Sequence, residues 1–256
     1  MEISKIELKE FLEAKVIEFN TTEFIEEDPV CIPHRYSLKE DIEIAGFLAA
    51  SIAWGNRKMI IENGNRMMDM LSESPFDFVI NHETHHLSKL AGFVHRTFNS
   101  DDLIHFIRAL KYIYTEKGGL EGIFYRFQTK DSLQPAIHQL HDIFFEISHL
   151  QRTTKHIADT EKGSAAKKIN LFLRWMVRND NSGVDFGIWK SISSSKLSCP
   201  LDIHSGNVAR KLGLLTRKQN DSKALFELDT NLRQFDPNDP VKYDFALFGL
   251  GKFEKF

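Results

Sequence analysis

Cysteine is nearly absent from this chain. Cys31 and Cys199 are its two, too few for a disulfide framework and too few to hold an iron–sulfur cluster unaided. No apolar run reaches the length of a membrane-spanning helix, and the opening MEISKIELKEFLEAK lacks the apolar stretch of a secretory signal. These absences predict a soluble protein in a reducing, cytoplasmic setting, with no membrane contact. Excess positive charge is also lacking: 33 Lys and Arg stand against 36 Asp and Glu, a formal charge of -3. The chain as a whole is therefore not a basic nucleic-acid binder, and contact with a polyanion needs a local basic patch. Strand-like alternation is scarce, and there is no internal repeat or low-complexity linker.

What is present is the material of an ordinary globular protein. Hydrophobic residues make up 42% and charged residues 27%, which excludes a disordered chain. At 256 residues the chain can form one large domain or two interleaved lobes. Helical periodicity runs almost throughout. Ile6, Phe11, Leu12 and Val16 predict an apolar stripe near the start. Ser37 and Glu40 have the spacing of a capping box, and Ala45, Gly46, Ala49, Ala50 and Ala53 would let another helix approach closely. Further helices are predicted near 57–72, 101–116, 134–149, 165–178, 204–213, 221–234 and 240–248. Long connections are expected around 150–163 and 178–199, the second marked by the turn signal Asn181-Ser182-Gly183. The expectation is an all-α, bundle-like architecture.

Three stretches carry residues suited to chemistry. HETHH, His82 to His86, fits the H-E-x-x-H pattern, in which two histidines one helical turn apart bind zinc. Its flanks offer neither a strong helix nor a recognisable third ligand, so it reads as a solvated polar turn or helix end, and no metal is expected.

The second stretch, EKGSAAKKINLFLRWMVRND, has no acid between Glu161 and Asp180 but contains Lys162, Lys167, Lys168, Arg174 and Arg178. Ile169, Phe172, Leu173 and Met176 mark its buried face. Gly163 and Ser164 form a turn before the helix, and backbone N–H groups at such a start bind phosphate. A solvated basic face and a phosphate contact are both compatible with this pattern. A lysine at that end, beside a second lysine, feels two positive potentials, and both favour the neutral, nucleophilic amine. Spacing alone does not choose between Lys167 and Lys168.

The third stretch is SCPLDIHSGNVARKLGLL. Asp202 stands where a helix N-cap belongs, with Val208, Leu212 and Leu215 forming the buried stripe behind it. A cap contributes about 1 kcal/mol, and the residues alone read Asp202 first as a cap, with a carboxylate held out for chemistry as the second reading.

GSAAKKINLFL and PLDIHSGNVARKLGL together resemble segments of the helix-hairpin-helix (HhH-GPD) DNA glycosylase superfamily, in particular endonuclease III. The resemblance puts Gly163 on the first hairpin glycine, Lys167 on the catalytic lysine and Asn170 on a helix asparagine. It puts Asp202 on the catalytic aspartate, His204 on the following histidine and Arg210 near a basic position. Ala165 stands at the second hairpin glycine. Lys167 and Asp202 are 202 − 167 = 35 residues apart. That is longer than in endonuclease III and more like the archaeal 8-oxoguanine glycosylases.

The whole chain from about Asp28, with CIPHRY, AGFLAASIAWGNR, FVHRTFN, VDFGIW and DPVKYDFALFGLG, resembles an uncharacterised bacterial family placed within that superfamily. The resemblance implies a single HhH-GPD-like domain of two helical lobes, about 22–180 and 1–21 plus 181–256, with a cleft between them. It implies a DNA glycosylase, with possible AP lyase activity, that removes a damaged base such as an oxidised purine from duplex DNA. Lys167 and Asp202 would be catalytic. Gly163, Ser164, Lys168, Arg57, His204 and Arg210 would contact nucleic acid, and Trp54 would line a base pocket. No cofactor and no iron–sulfur cluster is implied. The alternative is a non-catalytic DNA- or RNA-binding protein on the same fold.

Overall fold

The computed structural model describes residues 4–256. Helices dominate: α1 (Lys5–Phe19), α2 (Glu23–Glu26), α3 (Lys39–Ser51), α4 (Arg57–Met70), α5 (Pro75–Asn81), α6 (Ser100–Glu116), α7 (Gly119–Phe127), α8 (Gln134–Phe144), α9 (Lys167–Val177), α10 (Ile203–Lys211), α11 (Ser222–Phe235) and α12 (Tyr243–Lys252). Among the described residues, regular strand is confined to a two-residue hairpin pairing Val94–His95 with Phe98–Asn99. The all-α expectation holds.

The chain forms two compact units. Among the described residues, unit 1 comprises 4–24, 129–134 and 159–256; unit 2 comprises 25–128 and 135–158. In unit 2, every residue of α3 from Ile42 to Ser51 is buried, the polar Glu43 and Ser51 included. Ala45, Gly46, Ala49 and Ala50 lie in that run, where small side chains admit close neighbours. Phe47, Phe106 and Phe144 pack ring against ring beside it. The expected Ser37–Glu40 capping box does not form: the N-cap of α3 is Leu38, with no side-chain cap bond.

In unit 1 the core joins Leu8, Leu12 and Val16 of α1 to Val208 of α10, Leu225, Leu228 and Leu232 of α11, and Leu247 and Leu250 of α12. The inward face of α1 is thus the i, i+4, i+8 row beginning at Leu8. Ile6 lies off that row and is 72% exposed, against the expected stripe. Helix α9 also falls in unit 1, so residues 159–180 group with 181–256 rather than with the segment before them. The physical reason is a set of buried ion pairs. Arg174 and Arg178 of α9 reach Asp185, Asp239 and Asp244, all in the same unit.

Candidate functional site

The turn before α9 is built from small residues in unusual backbone states. Gly163 has φ +83°, in the left-handed region that side chains disfavour. Its N–H donates to Thr160 O at 3.0 Å. Ser164 Oγ accepts from Ala166 N at 3.1 Å. Ala166 itself is left-handed, at φ 47° and ψ 39°, and stands as the N-cap of α9 without a side-chain cap bond. The residue in the left-handed region is therefore Ala166, and not Ala165, which the resemblance sets on the second glycine. Asn170, 1% exposed, secures the turn from below: its Nδ2 donates to Ala165 O at 2.9 Å, and Gln134 Nε2 donates to its Oδ1 at 3.0 Å.

Helix α10 begins with Asp202 in extended backbone, at φ -117°. Asp202 Oδ1 accepts from Ser205 N at 2.9 Å, and Ser205 Oγ accepts from Asp202 N at 2.9 Å, a reciprocal capping box. One carboxylate oxygen is thus committed to the helix. The other, Oδ2, lies 3.5 Å from Lys167 Nζ. The Lys167 side chain is 35% exposed and that of Asp202 13% exposed, so the amine is open to solvent while the carboxylate is held mainly within protein. Cap and presented carboxylate are two halves of one group.

Lys168 is half-buried beside this pair. Burial, and then the positive charge of Lys167, bring its ammonium down to about 8. Below Asp202 lies a buried acidic layer. Asp244, at the start of α12, is pushed up to about 6 by burial; Arg174 opposes this and the charge of Asp202 adds to it. Cys199 Sγ contacts Asp244 Oδ1 at 3.5 Å, and burial with the neighbouring Asp244 and Asp229 carboxyls pushes its thiol well up. Cys199 is thereby an inert thiol, not a nucleophile.

The remaining sequence-predicted residues divide. Gly163, Ser164, Lys168, His204 and Arg210 share unit 1 with Lys167 and Asp202. His204 is exposed and sets its ring edge against Phe248. Arg210 turns its guanidinium inward: Nε donates to Arg217 O at 2.8 Å, and Nη2 to Lys218 O and Asn220 Oδ1 at 2.9 and 2.6 Å. Arg57 and Trp54 belong to unit 2. Arg57 pairs with Asp28 at 2.9 Å. Trp54 packs edge-on against His95 and beside His156.

One expectation is corrected. Arg174 and Arg178 form neither a solvated basic face nor a phosphate contact, because each is 2% exposed. Arg174 Nη1 reaches Asp244 at 2.5 Å; Arg178 Nε reaches both oxygens of Asp239 at 3.1 and 2.9 Å. The HETHH segment is a helix end followed by a turn, as its flanks predict. α5 ends before His82 and a 3-10 turn begins at His86, so the two histidines share no helical face. His82 Nδ1 bonds Val79 O at 2.9 Å, and His86 Nδ1 accepts from Glu83 N at 3.0 Å. Among the described residues, no group of three or more His, Cys, Asp or Glu is disposed to hold a metal ion. No helix among them is long and apolar enough to cross a membrane.

Sequence reasoning missed Asn220 and Asp244. Asn220 Nδ2 donates to Asp202 O at 2.7 Å from eighteen residues away. No periodicity signals such a bond. Asp244 had a signal: an acid inside the apolar run YDFALFGLG, on a helix that must be buried, needs a buried partner.

The family model described as "Protein of unknown function (DUF2400)" matches residues 28–253, and the chain belongs to that family. No curated protein and no solved structure matches the chain.

Proposed function

We propose that this member of the DUF2400 family is a DNA glycosylase with AP lyase capacity, and that Lys167 and Asp202 carry its chemistry. The observation behind this reading is the 3.5 Å approach of the Lys167 amine to the Asp202 oxygen that the helix cap leaves over. An amine beside a fixed carboxylate suits attack at a sugar carbon. In the proposed reaction the target nucleotide is first drawn out of the base stack. Lys167 Nζ then forms a bond to C1′ as the bond from C1′ to the base breaks, and the base leaves with the electron pair and takes up a proton. Asp202 stabilises the oxocarbenium-like charge at C1′ and accepts the proton that Nζ loses. The C1′–O4′ bond then breaks as the nitrogen lone pair forms the Schiff base, O4′ takes the proton held by Asp202, and loss of the C2′ proton expels the 3′ phosphate. Water then releases the lysine.

The resemblance of GSAAKKINLFL and PLDIHSGNVARKLGL to the HhH-GPD superfamily supports the same reading, with a two-lobed fold and DNA as partner. The N-terminal turn of α9, with Gly163, Ser164 and Lys168, supplies the phosphate contacts of this reading. Lys167 is preferred to Lys168 as nucleophile because it is the lysine beside Asp202.

Borohydride reduction in the presence of duplexes bearing 8-oxoguanine, uracil or an abasic site tests the proposal. A covalent adduct is expected with the wild type, none with Lys167→Gln, and a loss of at least about 100-fold with Asp202→Asn, which keeps the cap. An assay for released base covers a glycosylase without lyase activity. Salt-sensitive DNA binding with neither adduct nor base release would leave the binding-protein alternative standing.

A further inference from the structure

Lys167 and Asp202 open two different helices, 35 residues apart, and neither helix by itself sets their separation. One short segment touches the supports of both. Asn220 Nδ2 donates to Asp202 O at 2.7 Å. Two residues on, Ser222 N donates to Gly163 O at 3.0 Å, on the turn that presents Lys167. Between them, Asp221 forms an antiparallel bridge with Ser164 and caps α11 through Lys223 N and Ala224 N. The segment 220–222 thus ties the α10 N-terminus to the α9 turn, and α11 anchors the tie.

The orientation of Asn220 is itself imposed. Its Oδ1 accepts from Arg210 Nη2 at 2.6 Å, which aims Nδ2 at Asp202 O. That carbonyl also takes the first bond of α10, from Gly206 N at 3.0 Å, so it is held by two donors. A Cβ at Gly206 would come within 2.9 Å of both Asn220 Oδ1 and Arg210 Nη1, and glycine there leaves the space in which they meet. Fixing the peptide plane after Asp202 fixes the direction in which its side chain leaves the backbone. Reactive groups lose rate steeply when displaced by as little as 1 Å.

We propose that Asn220 is a positioning residue for the Lys167–Asp202 pair, holding Asp202 against the turn that carries Lys167. The proposal rests on the reading of that pair as catalytic. Its test has one arm that needs no catalysis. Acetic anhydride labelling with mass spectrometry reports how well Asp202 engages the Lys167 amine, with Asp202→Asn as the reference for loss of the pair. Asn220→Ala and Asn220→Asp are expected to change Lys167 labelling in the same direction as Asp202→Asn, and by several-fold. Asn220→Asp is nearly isosteric and keeps the Arg210 contact, but turns an oxygen toward Asp202 O. The control is Asn231→Ala, which removes the bond from Asn231 Nδ2 to Leu214 O at 2.8 Å, elsewhere on the same loop. It should leave Lys167 labelling at the wild-type level even where the melting temperature falls.

In the second arm, single-turnover borohydride trapping on abasic duplex should slow by about 10–100-fold in Asn220→Ala, with duplex affinity unchanged. Wild-type labelling by both Asn220 variants, or an equal change in Asn231→Ala, would overturn the proposal. If the wild type forms no adduct on any duplex, the catalytic reading fails, and the labelling arm still decides whether Asn220 positions Asp202.

Discussion

The two ends of α9 carry the same kind of charge and put it to opposite uses. At the N-terminal end, Lys167 and Lys168 open the helix behind Ala166, an N-cap with no side-chain cap bond, and Lys167 pairs with a carboxylate shared with the cap of α10. At the C-terminal end, Arg174 and Arg178 are buried and surrounded by Asp180, Asp185, Asp239 and Asp244. Both guanidinium groups also lie over the Phe245 ring, at 4.2 and 5.4 Å. A cation near a helix C-terminus is favoured by the helix dipole, and one at the N-terminus is disfavoured. The helix therefore keeps its dipole-favoured cations in a buried ionic network and its dipole-disfavoured ones at the end where Lys167 is partly exposed.

The largest test of this contrast is at the buried end. Arg174→Leu leaves Asp244 buried without its arginine partner and Asp185 with Arg178 alone, and should cost about 3–5 kcal/mol in urea unfolding. Lys167→Met, at the accessible end, should change stability by less than about 1 kcal/mol. Comparable losses at both sites would erase the distinction.

A second test uses pH. Asp244 is raised to about 6 in the folded protein against 3.8 as its ordinary value. Between those values the folded state binds more protons than the unfolded one, so this group's contribution to stability falls as pH rises. Asp244→Asn lacks that titration while keeping an oxygen for Arg174. Its stability relative to wild type should improve by about 1–3 kcal/mol from pH 4 to pH 7. A difference that stays flat, or runs the other way, would make the Asp244 charge a net stabiliser of Arg174.

The smallest test returns to the helix start. Ala166 occupies a left-handed conformation that glycine adopts freely. Ala166→Gly should stabilise the protein by about 0.5 kcal/mol, read as a small rise in the unfolding midpoint. Destabilisation would mean that the methyl group's burial, at 2% exposure, outweighs the relief of strain.

Much of this was legible in the sequence because it depends on local pattern. Helix type follows from periodicity, and Asp202 as a cap follows from its place before an apolar stripe. The meeting of Lys167 and Asp202 needed the family resemblance, since spacing says nothing about what folds back on what. Arg174 and Arg178 were misread for a related reason. Counting acids only along α9 hid the aspartates at 185, 239 and 244 that neutralise them through tertiary contact. Asn220 was invisible on any local view, because its importance lies in one bond to a distant carbonyl. Ser37 shows the converse error: a correct capping spacing gave no cap, because the chain enters α3 through Leu38 instead.

The tie through residues 220–222 bears on the long connection between α9 and α10. The separation of Lys167 and Asp202 is set by a third segment lying beyond both, not by the chain that runs from one to the other. The exposed tip at Asn181 and Gly183 is therefore decoupled from the register of the pair. Extra residues inserted there should lengthen the path between the two side chains in sequence while leaving their distance in space unchanged. That makes the tip a natural place to attach a label, or to vary loop length, without disturbing the Lys167–Asp202 pair.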